Sequence, residues 1–231
     1  MKSADDITQV KIPEKNLKKW QDIINIIARL VNIPAALIMR RVESDIEVFV
    51  SSHSSGNPYT PGDREHFMSS GLYCETVINT NNKLHVPNAL TDEHWKNNPD
   101  VKLNMIAYLG YPITFPDGNP FGTICILDKE ENFFSETIEE LILNFRDIIE
   151  SHLELIQMNM ILGEKNKSIS DYLQEVKALR GILPICSFCK KIRDRAGDWN
   201  HLEAYISDHS EAEFSHSICE HCMAEKYPNE D

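Results

Sequence analysis

The stretch MIAYLGYPITFPDGNPFGTICIL, Met105 to Leu127, decides the fold class. Met105 to Phe115 and Pro120 to Leu127 are rich in β-branched and aromatic residues and read as strands. Between them stands Pro116-Asp117-Gly118-Asn119, a strong turn signal, so the pair reads as a β-hairpin. Working outward, a long helical pattern follows at Ser135, and shorter elements precede the hairpin. Leu17, Trp20, Ile23, Ile24, Ile27, Leu30 and Val31 give the apolar face of an opening amphipathic helix that ends at Asn32-Ile33-Pro34. Ala35 to Val42 and Glu47 to His53 read as strands, and Ser54 to Pro58 as a loop. Gly62 to Met68 and Leu72 to Asn79 read as short helices, Lys83 to Val86 as a short strand, and Asn88 to Leu103 as a loop with a helical turn. This order predicts an α+β domain with a mostly antiparallel sheet. The terminal helices would cover one face, and the irregular middle, 54–104, would lie over the other and enclose a pocket.

The helix after the hairpin reads without interruption from Ser135 to Arg180, since no proline occurs between Pro120 and Pro184. Ser135 can cap it, and Glu136, Glu139 and Glu140 suit the positive end of its dipole. Leu141, Ile148, Leu155, Leu162, Ile169 and Val176 fall seven residues apart, with Ile138, Phe145 and Leu173 on the neighbouring seam. Such a repeat keeps an apolar stripe against a partner helix in a coiled coil, so we expect a homodimer through 136–180. His152, Asn159, Asn166 and Arg180 would weaken that seam while fixing its register. The helix would be roughly 65–70 Å long. Gly163 is its weak point, costing about 1 kcal/mol relative to alanine, and the alternative is two helices broken there.

The totals narrow the function. The chain has 231 residues, 42% of them hydrophobic, and no apolar run long enough to span a bilayer. Its first residues, MKSADDITQVKIPEKN, lack the apolar core of a signal peptide, from which we expect a cytoplasmic protein. A formal net charge of −13 argues against a non-specific grip on nucleic acid, although Lys190, Lys191, Arg193 and Arg195 could touch it locally.

The run Gly71-Leu72-Tyr73-Cys74-Glu75-Thr76-Val77-Ile78 and the later Val86-Pro87-Asn88-Ala89 and Asn98-Pro99 resemble a GAF domain. Gly110-Tyr111-Pro112-Ile113 and Gly122-Thr123-Ile124-Cys125-Ile126-Leu127-Asp128 extend the resemblance, which covers about residues 15 to 158. It implies a small-molecule sensing or dimerisation domain, with an unknown ligand here. Tyr59, Tyr73, Cys74, Trp95, Tyr108 and Tyr111 lie in or beside the expected pocket as candidate ligand-binding residues, and aromatic walls suit a planar ligand. The competing reading makes each of them a core or lid residue, and Cys74 a buried structural thiol. Some GAF proteins reduce free methionine sulfoxide with cysteines clustered around the pocket; this domain has Cys74 and Cys125 alone.

The tail carries different chemistry. Cys186-x2-Cys189 and Cys219-x2-Cys222 are separated by 29 residues, and two such knuckles offer four tetrahedral sulfurs to structural Zn2+. A module of about 45 residues buries too little surface to fold well alone, and a metal would supply the difference. Two readings compete: a redox role for each Cys-x2-Cys pair, or an iron–sulfur cluster on the four thiolates. Trp199, Leu202, Tyr205, Ile206 and Phe214 would form a small core, with 199–208 helical. Leu183-Pro184-Ile185-Cys186, Cys189-Lys190-Lys191-Ile192-Arg193, Gly197-x-Trp199, Leu202-Glu203-x-Tyr205-Ile206 and Phe214-Ser215-His216 are similar to a recurrent C-terminal segment of bacterial sensor and response-regulator proteins. Ser217 and Glu220 stand where those relatives carry glycine and proline, while all four sulfurs are kept.

The expected organisation is a tail at 1–14, a GAF sensor core at 15–135, a signalling helix at 136–180, a zinc-binding module at 181–228 and a tail at 229–231. The expected function is a cytoplasmic bacterial signal-transduction protein that acts on a protein partner and carries no catalytic motif. The alternative is a redox enzyme using its Cys-x2-Cys thiols, or a sulfoxide reductase of the GAF type.

Overall fold

The computed structural model describes residues 11–179, 183–194 and 196–227, with backbone alone at 174–179. The seam side chain of Val176, Arg180, Arg195, Pro228 and the tails at 1–10 and 229–231 lie outside the described residues. The chain divides into two compact units, Met1–Met160 and Ile161–Asp231.

The first unit is built on a six-stranded antiparallel sheet in the order β3-β2-β1-β6-β5-β4. Its strands are β1 (Ala35–Val42), β2 (Asp45–Ser51), β3 (Arg64–His66), β4 (Leu84–Val86), β5 (Ala107–Thr114) and β6 (Pro120–Asp128). The central position of β1 and β6 explains their near-continuous apolar sequence, because both faces of each strand are buried. The hairpin expected from Met105–Leu127 forms in register, with Tyr111 opposite Ile124. Its turn closes through the Gly118 N–H on the Phe115 carbonyl, with Gly118 at φ 82°.

One face of the sheet buries Ala36, Ile38, Leu109, Ile113, Ile124 and Ile126 against two helices. These are α1 (Glu14–Val31), through Trp20, Ile23, Ile24 and Ile27, and α3 (Glu136–Leu179), through Ile142, Ile149, Leu153 and Ile156. Helix α1 ends where Asn32 turns left-handed and its N–H returns to the Ala28 carbonyl. The Trp20 indole N–H donates to His152 Nδ1 at 3.0 Å, so this histidine ties the two helices together. On the opposite face, Leu37, Met39, Ile46, Val48, Tyr108, Cys125 and Leu127 pack under α2 (Tyr73–Thr80) and the irregular middle. Gly122 is required where β6 meets β1, because a Cβ there would lie 1.8 Å from the Met39 carbonyl oxygen.

Gly62 to Met68 does not form the expected short helix. Gly62 takes φ 97° and its N–H bonds the Val48 carbonyl, which delivers Arg64–His66 to the open edge of β2. Ladder hydrogen bonds to a preformed edge outweigh the helix preference of so short a segment.

Helix α3 runs through Gly163 without a break. Ile148, Leu155, Leu162 and Ile169 of its seven-residue stripe are exposed, whereas Ile138 and Phe145 of the neighbouring seam pack against the core of the first unit and Leu173 of that seam is exposed.

The second unit holds a two-stranded hairpin, β7 (Ile192–Arg193) and β8 (Trp199–Asn200), then α4 (Leu202–His209) and α5 (Glu220–Lys226). The expected helix at 199–208 therefore starts three residues later, because Trp199 pairs with Arg193 across the Asp194–Gly197 turn. Ile192 and Tyr205 are the buried apolar side chains among the described residues of this unit, a very small core.

Candidate functional site

The face of the sheet opposite α1 and α3 carries a cavity of about 740 Å³. Met39, Ile46 and Val48 form part of its lining from the sheet, Leu72 from the start of α2, and Pro99, Asp100, Lys102 and Leu103 from a 3-10 turn. Tyr59 and the segment 63–66 complete the opening. Each wall is held by a short polar network. Asn98 accepts from the Asp100 N–H at 2.9 Å and donates its amide to the Gly71 carbonyl at 2.7 Å, pinning the 3-10 turn beside α2. The Asn57 amide donates to Ser51 Oγ and the Ser52 carbonyl, while Ser51 Oγ donates to the Tyr59 carbonyl at 2.9 Å. That network aims the Tyr59 ring inward, where its hydroxyl donates to Asp100 Oδ1 at 2.8 Å.

Asp100 is only 9% exposed, and burial raises its carboxyl to about 6. The Tyr59 hydrogen bond opposes that rise and the Glu65 carboxylate adds to it. Tyr59 is pushed well above the ordinary tyrosine value by burial and by Asp100, so it stays a hydrogen-bond donor. No cation forms an ion pair with Asp100 among the described residues.

The six residues expected at the pocket are distributed over three places. Tyr59 lines the cavity. Tyr73, Cys74, Trp95 and Tyr108 lie in the core behind it, with Tyr73 stacked on Tyr108 at 4.6 Å and tilted against Trp95 at 5.1 Å. Tyr111 is on the other face of the sheet, where its hydroxyl donates to Glu139 at 3.2 Å, so it is removed from the pocket set. Strand alternation is the reason: Tyr108 and Tyr111 are three residues apart on β5 and must point to opposite faces. Gly110 leaves room for the Tyr108 ring, since a Cβ there would fall 2.1 Å from its hydroxyl.

Cys74 and Cys125 are buried free thiols on either side of the Thr123 hydroxyl, which donates to Cys74 at 3.3 Å and reaches Cys125 at 4.0 Å. The Cys125 thiol beside it lowers Cys74, helped by Thr123 and Tyr108, while burial pushes Cys125 up. Both belong to the packed core and neither lines the cavity. Of the expected residues only Tyr59 is in the lining; Asp100, Arg64 and Glu65 are among the lining residues that sequence reasoning missed. Asn98-Pro99-Asp100 is itself a helix-start signal, the one local hint that this loop was built to hold a carboxyl in place.

In the second unit, the two cysteines of each knuckle are close to one another. The N–H groups of Cys189 and Phe188 bond the Cys186 thiol and lower it, with Cys189 Sγ and Lys190 adding to the effect. Cys219 is lowered in the same way by the N–H of Cys222, the Cys222 thiol and the N–H of His221. The first knuckle closes with the Lys190 N–H on the Cys186 carbonyl and Lys190 at φ 61°. Backbone N–H groups aimed at sulfur favour the thiolate, which is the form zinc requires, so the donor chemistry fits a metal. Among the described residues, however, no group of three or more His, Cys, Asp or Glu is close enough to hold one ion; the sulfurs stand as two pairs. No helix among the described residues is long and apolar enough to cross a membrane.

Comparison with known proteins agrees with the fold of the first unit. The fold is similar to the GAF domain of an Acinetobacter phosphoenolpyruvate-protein phosphotransferase, at 15% identity and TM-score 0.51, covering 71% of this chain and 99% of that one. It is similar to free methionine-R-sulfoxide reductase from Neisseria meningitidis, solved with its substrate, at 10% identity and TM-score 0.52, over 67% of this chain and 86% of that one. A third likeness is the PixJ GAF domain of Thermosynechococcus elongatus in its blue-light absorbing form, at 14% identity and TM-score 0.51, over 70% and 98% of the two chains. At these identities the likeness concerns the fold. No curated protein matches the sequence. The GAF domain model matches residues 19–153, more than half of the chain, and the protein belongs to the GAF domain family.

Proposed function

We propose that this protein is a small-molecule sensor that signals to a protein partner through a dimerising helix and a zinc-binding tail. The single observation that carries the reading is the second apolar stripe of α3. Leu155 is 57% exposed, Leu162 55% and Ile169 55%, while the packed stripe of the same helix is buried on the sheet. A helix with a spent apolar face and a free one at seven-residue spacing has a place for a second copy of itself. The cavity over the sheet supplies the input, and a ligand acts by stabilising one arrangement of the helix pair over another.

In the tail, Cys186, Cys189, Cys219 and Cys222 would hold Zn2+. The metal would contribute folding free energy that the two buried apolar residues of the unit cannot, on the order of 10 kcal/mol for a structural site. The partner would then be read by the folded tail, within the cytoplasm. No residue here is assigned a catalytic role. The test is the native mass of protein purified without chelator. We expect a dimer carrying two zinc ions. A metal-free monomer whose four tail thiols cycle with dithiol reductant would overturn the reading in favour of redox chemistry.

A further inference from the structure

We infer that the cavity of the first unit binds an organic cation, an amine with an apolar body, and that Asp100 is the group that recognises it. The inference rests on the sensor reading above and names the class of its ligand. Asp100 is nine-tenths buried at the edge of the cavity, and it accepts one side-chain hydrogen bond, from Tyr59 to Oδ1. No hydrogen bond from a described residue reaches Oδ2, and no ion pair relieves the charge. The basic side chains nearby are engaged elsewhere or exposed. Arg64 reaches Glu47 at 3.6 Å, His66 stands 3.5 Å from Asp45, and Lys102 is exposed on the turn that carries Asp100. Asp63 and Glu65 add two carboxylates to the same opening, which disfavours an anionic ligand. Below the carboxyl, Met39, Ile46, Val48 and Leu72 offer a hydrocarbon surface. A buried carboxylate without a cation is costly, and a ligand that brings the cation removes the cost on binding.

The groups facing Asp100 make the binding depend on pH. They are Tyr59 from its loop, Asp63, Arg64, Glu65 and His66 from β3 and its approach, Lys102 from its own turn, and Tyr73, Cys74, Tyr108 and Cys125 from the core behind. Of the carboxylates, Asp100 is the buried one, with its charge lost as the pH falls through about 6. A cation therefore binds above that pH and releases below it.

The experiment is calorimetric titration of the full chain with benzylamine and with its neutral isostere benzyl alcohol, at pH 7.5 and pH 5. At pH 7.5 the amine should bind at least about tenfold tighter than the alcohol, as a charge-assisted hydrogen bond is worth. At pH 5 that preference should fall towards unity. Asp100→Asn should bring the amine to the level of the alcohol and leave the alcohol unchanged, whereas Tyr59→Phe should move the midpoint to higher pH. Equal binding of amine and alcohol at pH 7.5 would overturn the assignment of Asp100 and leave the sensor reading standing. Binding of neither probe would overturn the assignment of an organic cation to this cavity, while the sensor reading rests on its own test.

Discussion

A carboxylate that is buried beside a cavity destabilises the domain that holds it, and Asp100 illustrates how one residue links stability to binding. Its folded value of about 6 lies above the ordinary 3.8, so the native state holds an extra proton between those values. The stability this contributes is fully present below the unfolded value and is lost as pH rises through 6. The full difference is on the order of 3 kcal/mol. Asparagine keeps an oxygen for Tyr59 and carries no charge. Asp100→Asn should therefore gain stability relative to the parent as pH rises from 4 to 7, by roughly 2–3 kcal/mol. Urea denaturation of both proteins across that range measures it. Parallel stability curves would mean the carboxyl is not desolvated in the folded state. Glu75 and Glu139 respond in the opposite sense. Burial raises Glu75, but the N–H groups of Ser69 and Gly71 outweigh it, and the Lys83 ammonium lowers Glu139. The parent-to-variant difference isolates Asp100 from both.

Helix α3 shows at the scale of an element how one sequence serves two surfaces. Ile142, Ile149, Leu153 and Ile156 meet the sheet, while Ile148, Leu155, Leu162 and Ile169 form the free stripe. The two stripes respond differently to charge. Leu155→Glu together with Ile169→Glu should convert the dimer to a monomer in sedimentation while leaving the melting of the first unit unchanged within about 0.5 kcal/mol. A dimer that survives both charges would remove the helix from the interface. The seven-residue spacing of this stripe was legible in the residues because a helix repeats its surface every few positions. The strand at Arg64–His66 was not legible, because nothing in three polar, exposed residues records that β2 offers them an edge. Its pairing is a tertiary decision.

At the scale of the whole molecule, the two compact units differ in the apolar core each one buries. The first has two large apolar layers on one sheet; the described part of the second buries Ile192 and Tyr205. With zinc on the four cysteines, as proposed, chelation should unfold the tail and spare the sheet. In hydrogen exchange after treatment with a strong chelator, amides of 183–227 should exchange without protection, while those of β1, β5 and β6 keep theirs. Tail amides that remain protected without metal would mean the module folds on its own contacts.

The sequence alone determined the elements whose signal is local. The hairpin at Met105–Leu127 follows from its turn residues, the long helix from its apolar repeat, and the paired cysteines from their spacing, because each property is carried by neighbours along the chain. Tyr59 was one of six aromatic or thiol candidates for the pocket, and the structure places it in the cavity lining. Only the tertiary structure decided that Tyr111 faces the helices, that Tyr73, Cys74, Trp95 and Tyr108 fill the core behind the cavity, and that Asp100 stands at its edge. Burial depends on which face of a strand a residue takes and on which loop folds back over it. Those are contacts between segments far apart in the chain: Tyr59 and Asp100 meet across 41 positions, and no local pattern encodes that meeting.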